Sequence, residues 1–377
     1  MELPQLPGTA APESDLGLLQ RGRGSGWLRA ADRPDGWALL LKCLGSDPRW
    51  DHQVESRSDY YATLALRLDL PMASLVPLAM AEDPDEAWIA RSTLEAMARR
   101  GSVGAHNVLA QIPHDEVDDP HRPPVASRPQ VAVDVPVDVV LAGIHPAFPS
   151  GLVHRFRHTQ EPHEVEALRA AATAWPNPWG RRFALRVLGL RGDTTPLDAV
   201  ETVLASDEIG AGRAAAWHYV TALLPEISLP LARQWLAKDD GRSGAAAGVL
   251  AEHAESSDTS AIRRALSSAV DCYTVCDLVT ALGRLPEGGP FPELATVYLG
   301  SAYSYARMRA VTAMAATDPS FAETWAEECL WDCEDVSREV GARYVPLTAR
   351  AVERLRELAS DVHEVRAVRE AAAARLA

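Results

Sequence analysis

Ionisable and aromatic side chains crowd into two short stretches of this sequence. The first holds Glu323, Glu327, Glu328, Asp332, Glu334, Asp335 and Glu339, with Trp325 and Trp331 set between the carboxylates. A negative face of that kind suits a basic partner. Indoles suit its centre, because interface energy concentrates in a few large, desolvated aromatic side chains. The same residues also read as a solvated turn between two helices, with the tryptophans in the core. The second stretch is Trp50-Asp51-His52-Gln53-Val54-Glu55-Ser56-Arg57-Ser58-Asp59-Tyr60-Tyr61. Read as a helix, it places Asp51, Glu55 and Asp59 at i, i+4 spacing, where like charges repel. Surface pairing therefore explains it poorly. His52, Glu55 and Arg57 could line a site, although a solvated face is the plainer reading. The candidate partner-binding residues are thus Trp325, Glu327, Glu328, Trp331, Asp332, Glu334, Asp335, His52, Glu55 and Arg57.

Metal and nucleophile chemistry has weaker support. Cys272 and Cys276, and again Cys329 and Cys333, stand four apart, so each pair shares one helix face. Four thiolates could hold zinc. Helical units about 10 Å thick would set the two pairs roughly 20 Å apart, too far for one ion. The cysteines read as small buried hydrophobes. His154 and His158 also share a face, with Glu161, His163 and Glu164 following, but no glutamate lies between them in the manner of HExxH. They read as solvated or capping histidines. The chain has no GxGxxG, P-loop, GxSxG or kinase-like set. No catalytic residue, metal or cofactor is therefore expected.

The elements that must carry these residues are helices. Of 377 residues 47% are hydrophobic and only 6% aromatic, and alanine and leucine dominate, which favours helix over strand. The net charge of −15 repels phosphate backbones, so nucleic acid is an unlikely partner unless a local basic face exists. The basic residues are nearly all arginine, with lysine only at 42 and 238, as in a GC-rich genome. No apolar run is long enough to span a membrane, and residues 1–13 lack the pattern of a secretory signal. An odd five cysteines fits a reducing cytoplasm, the expected location.

A theme recurs along the chain. Glu82-Asp83-Pro84-Asp85-Glu86 precedes Ile89, Ser92, Thr93, Leu94 and Met97, then Arg99-Arg100-Gly101. An acidic turn caps a helix start, apolar residues at spacings of three and four make one buried stripe, and arginine with glycine suits the end. Similar turns begin near 206, 238, 267, 301, 331 and 360, roughly 30 residues apart, the length of a two-helix repeat. The acidic turn, the apolar residue, the small pair and the closing leucine or methionine resemble the second helix of HEAT repeats, especially the short bacterial variety. The likeness is specific over 83–101 and looser over about four-fifths of the chain. It implies an all-α solenoid of stacked antiparallel helix pairs, whose concave face holds a protein or peptide. With this charge, a basic partner is expected. Two enzymes use similar repeats. One is the alkylpurine DNA glycosylase family, whose carboxylate and tryptophans Asp332, Trp325 and Trp331 could imitate. The other is the bilin-lyase type of subunit.

Four segments follow. Residues 1–34, rich in Gly, Pro and Arg, read as a partly disordered lead-in. Residues 35–112 form an N-terminal helical block. Residues 113–150 read as a Pro-rich loop insertion, with 131–135 as a short strand or extended piece. Residues 151–377 form a C-terminal array.

Overall fold

The structure, a computed structural model, describes residues 3, 6–49, 51, 55, 57–82, 84–112, 134–143, 150–174, 177–206, 210–238 and 240–377. All regular structure among them is helical, in 24 α-helices joined by short turns and 3-10 segments. They fall into two compact units. One combines Met1–Val117 with Leu266–Ala377, and the other is Asp118–Ala265.

The discontinuous unit opens with α1 (Asp15–Gln20), α2 (Gly24–Ala31), α3 (Gly36–Gly45), α4 (Ser58–Arg67), α5 (Val76–Ala79), α6 (Pro84–Arg99) and α7 (Val103–Leu109). Helix α6 lies where the acidic turn and apolar stripe place it, and Gly101 follows it at φ +87°. Its Ile89, Leu94 and Met97 join Leu40, Leu44, Tyr61 and Leu64 in one core with α3 and α4. The chain then forms the second unit: α8 (Val137–Ala142), α9 (Ser150–His158), α10 (Pro162–Ala174), α11 (Pro178–Arg191), α12 (Leu197–Ala205), α13 (Ala211–Ala222), α14 (Pro225–Lys238) and α15 (Ser243–His253). Helix α16 (Thr259–Ser268) crosses the boundary. The first unit resumes with α17 (Cys272–Gly283), α18 (Pro292–Gly300), α19 (Ser304–Thr317), α20 (Phe321–Thr324), α21 (Ala326–Cys329), α22 (Asp335–Tyr344), α23 (Ala349–Ser360) and α24 (Arg366–Leu376).

One packing rule recurs in both units. In the second, α10 packs on α11, α12 on α13 and α14 on α15, while α11, α13 and α15 pack in succession. In the first, α18 packs on α19, α21 on α22 and α23 on α24, while α17, α19, α22 and α24 pack in succession. The later helix of each pair starts at Pro178, Ala211, Ser243, Ser304, Asp335 or Arg366, and α17 starts at Cys272 between the third and fourth of these, so successive starts lie about 30 residues apart. All of these starts except Pro178 follow one of the turns legible in the sequence; the turn at 160–162 leads instead into α10, the earlier helix of its pair. Small residues allow the close approach: a Cβ on Gly283 would lie 2.9 Å from that of Ala313. Polar caps fix several starts. Asn177 Oδ1 accepts from Trp179 N at 2.9 Å, Asp271 Oδ2 from Thr274 N at 2.7 Å and Thr348 Oγ1 from Ala351 N at 3.1 Å.

Three expectations need revision. The lead-in over 1–34 is ordered between 15 and 31 as α1 and α2, and Leu18, Leu19 and Arg21 are fully buried. The insertion over 113–150 contains helix α8, which buries Val137, Val140 and Leu141 against α10 and α11; residues 113–133, with most of the expected strand, lie outside the described residues. The polar stretch over 50–61 is not a continuous helix. Asp51, Glu55 and Arg57 are non-helical and α4 starts only at Ser58, so the like-charge spacing never comes into play.

Candidate functional site

The two polar stretches singled out by sequence meet in the first unit. Arg57, fully buried, donates from Nη1 to Asp47 Oδ1 (3.1 Å) and the Pro48 carbonyl (2.9 Å), and from Nη2 to Glu55 Oε1 (3.0 Å) and the Ala302 carbonyl (3.4 Å). Glu55 Oε1 also accepts from the first backbone N–H of α19, at Ser304 (2.8 Å). Asp47 takes a hydrogen bond from the Tyr61 hydroxyl (2.8 Å) and an ion pair from Arg49 (3.0 Å). The guanidinium of Arg49 lies 4.5 Å over the ring of Trp88.

From the other side, Arg23 holds Glu328 through two parallel bonds of 3.0 Å, and Ser25 adds its hydroxyl to the same carboxylate at 2.8 Å. The fork geometry of that pair fixes direction as well as contact. Arg23 also lies 4.9 Å over the ring of Tyr298. The Gly22 carbonyl accepts from Cys333 N at 2.8 Å, and Arg307 Nη2 reaches Cys333 Sγ at 3.6 Å. Two glycines make this seat possible. Gly22 has φ +68°, and a Cβ on it would lie 2.4 Å from Cys333 Sγ; a Cβ on Gly24 would lie 1.9 Å from the Glu328 carbonyl oxygen.

Burial sets the electrostatics. It would push the Arg57 guanidinium down, but Asp47 and Glu55 outweigh it and hold this group well above its ordinary value. Burial, then the charges of Arg307 and Arg23, lowers Arg21 to about 10, still protonated at neutral pH. Burial raises Asp332 against the pull of Arg307, and raises Glu334 likewise. It lifts the thiols of Cys43 and Cys272 to about 12 and those of Cys276, Cys329 and Cys333 well up. Such thiols stay protonated and behave as small apolar groups. Cys272–Cys276 and Cys329–Cys333 are reduced.

The structure therefore assembles Glu55, Arg57, Glu328, Asp332 and Glu334 around Arg23, Arg307 and Asp47. His52 lies outside the described residues. Asp332 is 1% exposed and Trp331 6%, so neither offers a partner a surface. Trp331 sits between Trp27, with ring centroids 6.3 Å apart, and Arg354, 5.5 Å above it. Trp325 is half-buried against Tyr298. Glu327 is held by Arg350 and Thr348, and Asp335 binds the Val336 N–H at its own helix start. The acidic run is thus mostly consumed within the fold, closer to its reading as a turn with inward tryptophans. Arg21, Arg23, Asp47 and Arg307 carry no signal in their own stretches. The alternation of glycine and arginine over 21–26 could have marked Arg21 and Arg23, because repeated glycine between cations permits close backbone approach.

His154 and His158 face each other on α9 with ring centroids 4.8 Å apart, and among the described residues no three His, Cys, Asp or Glu side chains converge as a metal site would need. Among the described residues, open grooves lie between α22 and α24, beside α12, and across α9, α11 and α13. No helix among the described residues is long and apolar enough to cross a membrane. Comparison with known proteins returned no matching family model and no matching curated protein.

Proposed function

We propose that this chain is a non-catalytic binding scaffold of the HEAT-like α-solenoid type, which holds a protein or peptide. The observation that carries the reading is the recurrence of helix pairs about 30 residues apart, with the later helices packed in succession within each unit. Such stacking leaves one side of several later helices, among them α11, α13 and α24, outside the core, and those sides offer a surface within each unit. The fate of the ionisable groups supports the same reading. Acid–base chemistry needs titratable groups that reach a substrate, whereas Glu55, Arg57 and Asp332 are spent in buried contacts. A glycosylase would need Asp332 beside tryptophans in an arginine-lined groove, and its burial gives that reading no support. Most of the acidic excess falls outside 118–265, which favours a basic segment as the partner of the first unit.

Capture on the tagged full-length chain from a host lysate, at low and at high salt, tests this. The expected result is one protein that rebuilds a stoichiometric complex when purified and dissociates as salt rises. Retention of nucleic acid alone, or turnover of a bound small molecule, would overturn the reading.

A further inference from the structure

The groove across α9, α11 and α13 differs in charge from the other two. The groove between α22 and α24 contains Glu339, Glu370, Arg343 and Arg375, with Arg343 paired to Glu339. The groove beside α12 contains Arg242, which Glu201 and Asp240 neutralise. The third, of about 470 Å³, is lined by Ser150, Val153, His154 and Arg157 from α9, Arg186 and Leu190 from α11, and His218 from α13, with no carboxylate among the described residues. Spacings of three and four put Ser150, Val153, His154 and Arg157 on one stripe of α9, and Arg186 and Leu190 on one stripe of α11.

Three other arginines of these helices have structural duties. Arg155 is paired with Glu164, Arg181 donates to the Ala172 carbonyl, and Arg191 caps three carbonyls at the end of α9. Among the described residues, no carboxylate pairs with Arg157 or Arg186. A chain of net charge −15 has carboxylates to spare, yet it leaves two permanent cations and two imidazoles facing one hollow. Like charges gathered without a counter-ion cost free energy, which an external anion would recover. Guanidinium forks match phosphate oxygens, and two of them call for a dianion. Val153 and Leu190 supply an apolar wall for the group that carries it.

We propose that this groove binds a phosphomonoester dianion, held by Arg157 and Arg186 with His154, His218 and Ser150 as further donors. The proposal rests on the scaffold reading only in treating the groove as a surface for ligands. The state of His218 agrees with it. His218 is exposed, but partial desolvation by its neighbours, then the charge of Arg186, lowers its pKa; a bound dianion opposes the second effect and draws a proton onto the ring. Besides Arg186, the charged or titratable groups facing it in the groove are His154 and Arg157. Of the helices packed on α13, α12 and α15 contribute nothing to the lining.

The test follows the imidazole C2–H proton signals of the full-length chain, assigned with His154→Gln and His218→Gln, during titration with glycerol phosphate at constant ionic strength. The expected result is a saturable shift of the His154 and His218 signals, with the His218 titration moved to higher pH. Arg157→Gln and Arg186→Gln should each weaken binding by about 10-fold or more. The exposed Arg182→Gln on α11, outside the lining, should leave it unchanged. Circular dichroism melts show whether each variant is folded, and Arg157, itself exposed, gives the safer substitution. A phosphoserine peptide and its unphosphorylated twin separate the sources: discrimination between them assigns the phosphate to a protein partner, and binding of glycerol phosphate alone assigns it to a small molecule. No saturable shift, an equal shift with chloride, or an unchanged Arg157→Gln would overturn the proposal. Tighter binding of a DNA duplex than of the phosphomonoester would also overturn it. Failure here leaves partner capture as a separate test of the scaffold, and failure of capture leaves this titration as it stands.

Discussion

Arg57 joins the nearby turn at 47–48 and Glu55 to a piece of backbone far away in sequence, the approach to α19 at Ala302, and Glu55 adds the N–H of Ser304. Its head is fully buried, so nothing in water can replace Asp47 or Glu55 if either is lost, or neutralise them if Arg57 is lost. Arg57→Met keeps the length of the side chain and removes the charge. Two carboxylates then stand buried without their principal cation. We expect a loss of about 3–5 kcal/mol in unfolding free energy, read as a lower urea midpoint with an unchanged slope. A variant within 1 kcal/mol or so of the parent would mean that the network behaves like an exposed ion pair. The half-exposed pair of Arg343 and Glu339 provides the contrast.

Helices α1 and α2 are seated beside this network, by the grip of Arg23 on Glu328 and the bond from Cys333 N to the Gly22 carbonyl. They are short, and α1 has a side-chain cap from Ser14 whereas α2 has none. Both depend on packing more than on helix propensity. The turn between them presses so closely on 328–333 that Gly24→Ala drives a methyl group into the Glu328 carbonyl. We expect about 2–3 kcal/mol of destabilisation from that overpacking, measured by chemical denaturation; a neutral Gly24→Ala would show that the seat is loose. This is also where sequence reading reached its limit. Helix α6 was legible because its start, stripe and stop all lie within about twenty residues, and the later helices were legible because their turns recur. The sequence Arg21-Gly22-Arg23-Gly24-Ser25-Gly26 has the composition of a flexible segment, and only the opposing Glu328 and Cys333 turn those glycines into points of contact. The same distance effect hid the site: 55–57 and 327–334 were each visible as polar clusters, but no local pattern records that Arg23 and Arg307 lie between them.

At the scale of the whole molecule, the first unit closes only when residues from both ends of the chain are present, whereas Asp118–Ala265 is one continuous stretch. Deletion of 321–377 removes Glu328 and Cys333 and with them the seat of α1 and α2. We expect such a chain to lose the cooperative unfolding of the first unit while the helices between 137 and 253 keep their own transition. Circular dichroism melts followed by hydrogen exchange would distinguish the two, and protection of α3, α4 and α6 at parental levels would contradict the expectation. Arg23 and Glu328 are 305 residues apart. On a ribosome adding about 5–20 residues each second, the arginines of the first segment emerge roughly 15–60 s before the carboxylate that Arg23 grips. Throughout that interval the newborn chain carries the arginine–glycine stretch over 21–26 without the carboxylate it grips. That stretch waits unseated until the last helix pairs arrive to claim it.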